Sequence, residues 1–279
     1  MRSQRALDDA SQTLINVVIV LAVGFLLMPL FIVVSMSFDS RDYLGRFPPP
    51  SLSLQWYASF FTQEYLIKGL KTSLVLASLC AVISTTIGLL AALGIEQCPK
   101  RRRDIFTSIF LSPLIVPGVV IGFALLLFYS RLEVSNGFLR LLGGHVLITF
   151  PYTVRTSLAA LAGIRRSVFE AALSLGATER RVFWTVTLPL AKTGIAAGAV
   201  FAFAFSLDDV AVSLFLSGPK SYTLPVALLD MMYANFNLTI AAAAVLFVVA
   251  TTGLMLLLDR LIGLDKLIGT GNLYRARVR

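Results

Sequence analysis

Charge is scarce in this sequence: only 14% of its 279 residues are Asp, Glu, Lys or Arg, while 57% are hydrophobic. Soluble domains carry about 25% charged and about 45–50% apolar residues. The composition therefore excludes a soluble globule and points to an integral membrane protein. Most of the length goes into apolar runs, which leaves no room for a separate soluble catalytic domain. Histidine occurs once, at His145, and cysteine twice, at Cys80 and Cys98. These are too few soft ligands for a metal site. The cysteines stand 18 residues apart along one run, about 27 Å if that run is helical, so no disulfide is expected to join them. No Gly-x4-Gly-Lys-Ser/Thr phosphate loop occurs, and the chain itself is not expected to bind ATP. Internal repeats and low-complexity tracts are also missing.

What is present is six apolar stretches, at about 14–38, 72–95, 105–130, 141–162, 193–216 and 238–261. A span needs about 20 mainly apolar residues. Lipid offers the backbone no hydrogen-bond partner, so runs of this length predict helices and not barrel strands. The first run is too long for the core of a cleaved signal, and no convincing small-x-small site follows it, so it is expected to be retained. The net charge of +9 could serve nucleic acid, but its distribution argues for a membrane. Sixteen of the 24 Lys and Arg fall in the N-terminal tail, 97–104, 164–192 and the C-terminal tail, against seven in the segments on the other side. That bias places both termini and the 164–192 loop in the cytoplasm. On the opposite side, 39–71 carries Pro48-Pro49-Pro50 and then Gln55-Trp56-Tyr57, which reads as an interfacial helix on the outer face. Pro113 and Pro117 are placed to kink the third span.

The stretch from Ile164 to Pro189 has the grammar of two short helices with a bend. Glu170, Ala171 and Ala172 favour helix. Gly176 falls where a helix ends with positive φ, and Thr178 is placed to cap the next one. Pro189 is expected to end that second helix before the fifth span. Val182, Phe183 and Val186 recur on one face, with Arg180 and Arg181 on the other.

Glu170-Ala171-Ala172, then Gly176, then Val186-Thr187-Leu188-Pro189 resembles the cytoplasmic loop of ABC-importer permeases. That pattern runs Glu-Ala-Ala, three residues, Gly, nine residues, Ile-x-Leu-Pro, with Val186 here in the place of Ile. The resemblance implies an all-α, MetI-like fold of type I importer permeases: one transmembrane domain over 1–279 with a coupling loop at 164–190. It further implies a second permease subunit, a dimer of ATP-binding subunits and a periplasmic or lipid-anchored solute-binding protein in the bacterial inner membrane. ATP and magnesium would then sit on the partner ATPase, and this chain would be no enzyme and bind no nucleic acid. Glu170, Ala171, Ala172, Gly176, Val186, Leu188 and Pro189 would make or shape the docking contact. The competing reading of the loop is an amphipathic helix lying on lipid.

Ser206-Leu207-Asp208-Asp209 lies in the fifth span, where a carboxylate costs about 2.5–3.5 kcal/mol. Neighbours on a helix point about 100° apart, so the two carboxylates cannot share one lumen-facing point. One is expected to bind an internal partner such as Arg155 or a backbone donor. Ser206, Asp208 and Asp209 either line the pathway for a cationic solute or hold helices together and shape a gate. An intramembrane aspartyl protease is excluded because it needs its two aspartates on different helices. Phe205 to Asp209, Ser217-Gly218-Pro219, Thr223-Leu224-Pro225, Ser35 to Phe38 and Trp56-Tyr57 resemble the spermidine/putrescine permease branch. That branch also holds permeases for opines and phosphonates, and a stand-alone channel or secondary carrier is the remaining alternative. His145 is expected at the membrane interface and not as a ligand. Glu96 is expected to pair with the 100–103 basic run, whose Arg101 to Arg103 would anchor to anionic headgroups.

Overall fold

A computed structural model of the chain describes residues 2–43, 45–234 and 236–262. The basic C-terminal tail counted above falls, beyond residue 262, outside the described residues. The described chain is helical: α1 (Arg2–Met36), α2 (Gln55–Thr62), α3 (Glu64–Glu96), α4 (Lys100–Leu111), α5 (Gly118–Arg131), α6 (Gly137–Ala162), α7 (Arg166–Ser174), α8 (Glu179–Val182), α9 (Leu188–Asp208), α10 (Ala211–Leu216), α11 (Leu224–Ala234) and α12 (Thr239–Ile262). Four helices among the described residues are long and apolar enough to cross a membrane, and six spans result if each of two bent helix pairs counts as one.

The chain divides into two compact units. The first takes in the described residues of Met1–Glu64 and Asp230–Val249. In it, α1 turns an almost wholly apolar, exposed surface outward, from Leu14 to Phe31, as a lipid-facing helix does. The chain leaving α1 is fastened to α2 by the two aromatic residues singled out above. Trp56 Nε1 donates to the Asp39 carbonyl at 2.7 Å, and the Tyr57 hydroxyl lies 2.7 Å from Ser37 Oγ. Asp39 is fully buried and forms an ion pair with Arg41 at 2.5 Å. That guanidinium holds the Asp39 carboxyl below the ordinary carboxylate value.

The second unit, Tyr65–Leu229 with the described residues from Ala250 onward, contains the functional region. α6 and α9 form its spine. A Cβ on Gly194 or Gly198 of α9 would run into Ala160 or Thr156 of α6, so the two backbones meet with nothing larger than hydrogen between them. Close approach of this kind is how helices pack where no hydrophobic force drives them together. Side-chain hydroxyls tie α3 to α6: Ser84 Oγ and Thr149 Oγ1 are 2.7 Å apart, and Thr153 Oγ1 donates to the Ser84 carbonyl at 2.7 Å. Leu76, Ile121, Leu141, Ile148, Val212 and Leu216 fill the apolar core beside this ladder.

One expectation about continuity is met and two are corrected. The run 105–130 is kinked at Pro113 and Pro117 as expected: α4 with its following short turn meets α5 at 93°, because the two prolines withdraw two N–H donors within five residues. The run 193–216, by contrast, is not one helix. α9 stops at Asp208, Asp209 is extended, and α10 begins at Ala211. Finally, Pro189 does not end a helix but lies in the first turn of α9. The preceding Phe183–Thr187 is a wide π-turn, which accommodates the ring and the missing N–H. Glu179–Asp208 therefore runs as a single 30-residue helical piece.

Candidate functional site

Two places carry the predicted residues, joined by that 30-residue helix. The first is the loop between α6 and α9. α7 carries Glu170, Ala171 and Ala172, and Glu170 accepts from Arg166 Nε at 3.0 Å on the exposed face. A pair so open to solvent contributes at most about 1 kcal/mol, so Glu170 remains available to a partner. The chain then reverses at Gly176, whose φ is +85° with nothing within 4 Å of a Cβ placed there. Glycine is therefore required by backbone conformation and not by crowding. Thr178 Oγ1 accepts from the Arg181 N–H at 3.4 Å and starts α8. Val182 is fully buried, whereas Leu175, Trp184 and Leu190 are largely exposed. Val186 and Leu188 are half-buried and Pro189 is exposed. Apolar side chains presented beside arginines on a short loop form the kind of surface a protein partner covers.

The second place is the break at Asp208–Asp209. Asp208 is exposed at the end of α9, while the Asp209 side chain is 7% exposed. The Asp209 carboxylate accepts from the N–H of Val212 at 3.1 Å and of Ser213 at 2.9 Å. It thus satisfies the first free donors of α10 where the helix is interrupted. Backbone donors, and not the exposed Arg155, are the internal partner. Asp209 also lines a cleft of about 90 Å³ with Pro113, Gly118, Ile148, Tyr152 and Phe205. The bend in α4–α5 and the break in α9–α10 therefore open onto the same space.

His145 is the residue that sequence reasoning misplaced. It is not at an interface: it is completely buried in α6. Its Nδ1 lies 2.8 Å from Ser206 Oγ and its Nε2 2.9 Å from Ser213 Oγ. Asp209 Oδ2 is 3.8 Å from the same Nε2. One imidazole thus bridges the two sides of the break, and Thr149, which accepts the α3 hydroxyl ladder, donates to the His145 carbonyl at 2.8 Å. Ser206 falls inside this network and not on an open wall. The helix is broken between Ser206 and Ser213, so no helical spacing in the sequence marks them as partners of one imidazole. Glu96 meets its expectation, pairing with Arg103 at 2.6 Å.

Residues 84–263 match the family described as binding-protein-dependent transport system inner membrane component. The spermidine/putrescine transport system permease protein PotC of Shigella flexneri is 29% identical over 89% of this chain and 93% of its own length. The putrescine transport system permease protein PotI of Escherichia coli is 30% identical over 82% of this chain and 84% of its own. A chain of the crystal structure of a bacterial ABC transporter that imports the acidic polysaccharide alginate superposes with a TM-score of 0.73. It is 17% identical, over 92% of this chain and 98% of that one.

Proposed function

The chain belongs to the family of inner membrane components of binding-protein-dependent transport systems, and we propose that it is one permease subunit of an ATP-driven importer of polyamines such as spermidine or putrescine. The observation that carries the cargo is the alignment with PotC and PotI across more than four-fifths of the chain. These relatives favour a polyamine over an opine or a phosphonate. The partners are a second permease subunit, a pair of ATP-binding subunits and an external solute-binding protein. The termini and the α7–α8 loop face the cytoplasm, as the Lys and Arg bias requires. ATP and magnesium sit on the ATP-binding subunits, which hydrolyse the nucleotide.

The loop geometry supports a simple coupling. α7 and the apolar side chains around Leu175 and Trp184 dock on the ATPase, and closure of the ATPase pair displaces them together. Because α8, the π-turn and α9 form one 30-residue piece, about 45 Å long at 1.5 Å per residue, the displacement reaches Asp208. There the helix is already interrupted, and movement of α9 relative to α10 strains the His145 and Asp209 hydrogen bonds. The cleft beside Asp209 then opens or closes toward the outside. A ligand shifts such an equilibrium only by its differential affinity for the two states, and closure of the ATPase pair around ATP supplies that difference.

Uptake tests the cargo. Proteoliposomes carrying the complete importer, with ATP inside, should accumulate radiolabelled spermidine, and excess putrescine should compete while an opine or a phosphonate should not. Competition by the opine or phosphonate alone would reassign the cargo.

A further inference from the structure

Arg155 is exposed within the membrane-spanning α6 and forms no ion pair among the described residues. A guanidinium in that state is costly against lipid and belongs beside a water-filled cavity. Three residues earlier, one turn back on the same face, stands Tyr152, which lines the cleft with Asp209. The Tyr152 ring lies 5.1 Å from that of Phe205 and 6.5 Å from that of Phe201, between centroids. Both phenylalanines are exposed on α9, on the face that ends at the exposed Asp208. One wall therefore carries Arg155, three aromatic rings and the carboxylates of the helix break. The two helices run antiparallel, with His145 against Ser206 and Thr153 against Gly198. Arg155 is thus level with Ala196, and Asp208 stands 12 residues further along α9, about 18 Å away. That exceeds the Debye length of about 8 Å, so the guanidinium does not neutralise the carboxylates.

We propose that Arg155 expels the polyamine into the cytoplasm and limits the length of polyamine that the inward-open cavity retains. This rests on the polyamine-importer reading, which makes the wall part of the pathway, with the carboxylates toward the outside and Arg155 toward the cytoplasm. Extended spermidine has nine bonds between its terminal nitrogens, about 11 Å, and putrescine five, about 6 Å. With one ammonium at the carboxylates and the chain along the rings, the far ammonium of spermidine ends about 7 Å from the level of Arg155. That of putrescine stops about 12 Å away. A guanidinium on its own flexible stem closes the first gap and not the second, and like charges a few ångströms apart repel. Spermidine is therefore driven off inward, and cytoplasmic spermidine is kept from returning to the carboxylates. An arginine can bar cations from a membrane pathway in the same way.

The test uses the complete importer in proteoliposomes, with ATP inside and the solute-binding protein outside. Uptake of radiolabelled spermidine is measured against rising unlabelled spermidine or putrescine inside the vesicles. Each variant is compared with its own rate in polyamine-free vesicles. In Arg155→Gln, the internal spermidine that halves uptake should fall about fivefold or more below the wild-type value. The corresponding putrescine value should move by less than about twofold. Arg155→Lys keeps the charge and should stay near wild type, while Arg155→Met should reproduce the Gln result. An unchanged spermidine value overturns the proposal, and so does an equal shift for both polyamines. Loss of assembly in the Gln and Met variants but not in Lys also overturns it, because Arg155 would then pair with a carboxylate of the second permease subunit. A wild-type importer that accumulates no spermidine overturns the polyamine reading itself, a different result from a normal wild type with an unaffected variant.

Discussion

His145→Ala should be among the most destabilising single changes available in the second unit. The imidazole is fully buried and joins the hydroxyls of Ser206 and Ser213 across the helix break, where Cys80 and Asp209 are their other side-chain partners. Both serines are almost completely buried, at 2% and 0% exposure. Each hydroxyl loses one bond and keeps another, at about 1 kcal/mol each, so the pair costs about 2 kcal/mol before any loss of packing. At about 2–4 °C per kcal/mol for a chain of this size, the melting temperature of the detergent-solubilised protein should fall by roughly 6 °C. Replacing both sides of each bond should recover most of that loss, because apolar replacement of both partners is close to neutral. His145→Leu with Ser206→Ala and Ser213→Ala is the variant to compare. Asp209 keeps its two backbone donors in both variants. A His145→Ala protein melting within about 2 °C of wild type would refute the idea that the imidazole holds the break together.

Asp209→Asn keeps an oxygen for the α10 donors while removing the charge, so folding should survive and polyamine uptake should fall at least about tenfold. The exposed Asp208→Asn should be milder, and the reverse ranking in an uptake assay would contradict the placement of Asp209 on the pathway. Gly198→Val should overpack the α6–α9 contact at Thr156 and cost about 1–3 kcal/mol, read as a lower melting temperature. Asp39 has a lowered folded value, so its ionised form contributes stability above the ordinary value of 3.8 and loses it as pH falls through the lowered one. In a Trp184→Phe background, Trp56 emission should therefore hold steady to about pH 4 and change below it. Asp39→Asn should abolish that dependence, and an unchanged titration there would show that the Arg41 pair does not set it.

The sequence exposed most of the coupling loop because its features are local. The Gly176 reversal and the Thr178 cap depend on residues within three or four positions, and both stand as expected. Pro113 and Pro117 announced the bend between α4 and α5, though not its size of 93°. Pro189 was misread because proline is tolerated both at a helix start and at a helix end, and the π-turn that absorbs it has no composition of its own. His145 was misread for a different reason. Its partners lie 61 and 68 residues away, and a lone histidine in an apolar run carries no local trace of them. The break after Asp208 was invisible as well, since Ser206 to Leu216 contains neither Gly nor Pro. Only the adjacent carboxylates hinted that the backbone there needed an acceptor.

The central claim is that the α7–α8 loop carries ATPase movement into the pathway, and Gly176→Asp tests it most directly. At φ +85° with open space around it, an aspartate costs only about 1–2 kcal/mol of backbone strain but places a charge on the docking surface. In proteoliposomes holding the complete importer, the variant should assemble in the membrane and yet lose ATP-driven polyamine uptake. Uptake at the wild-type rate in Gly176→Asp, or uptake by this chain without any ATP-binding subunit, would contradict that claim.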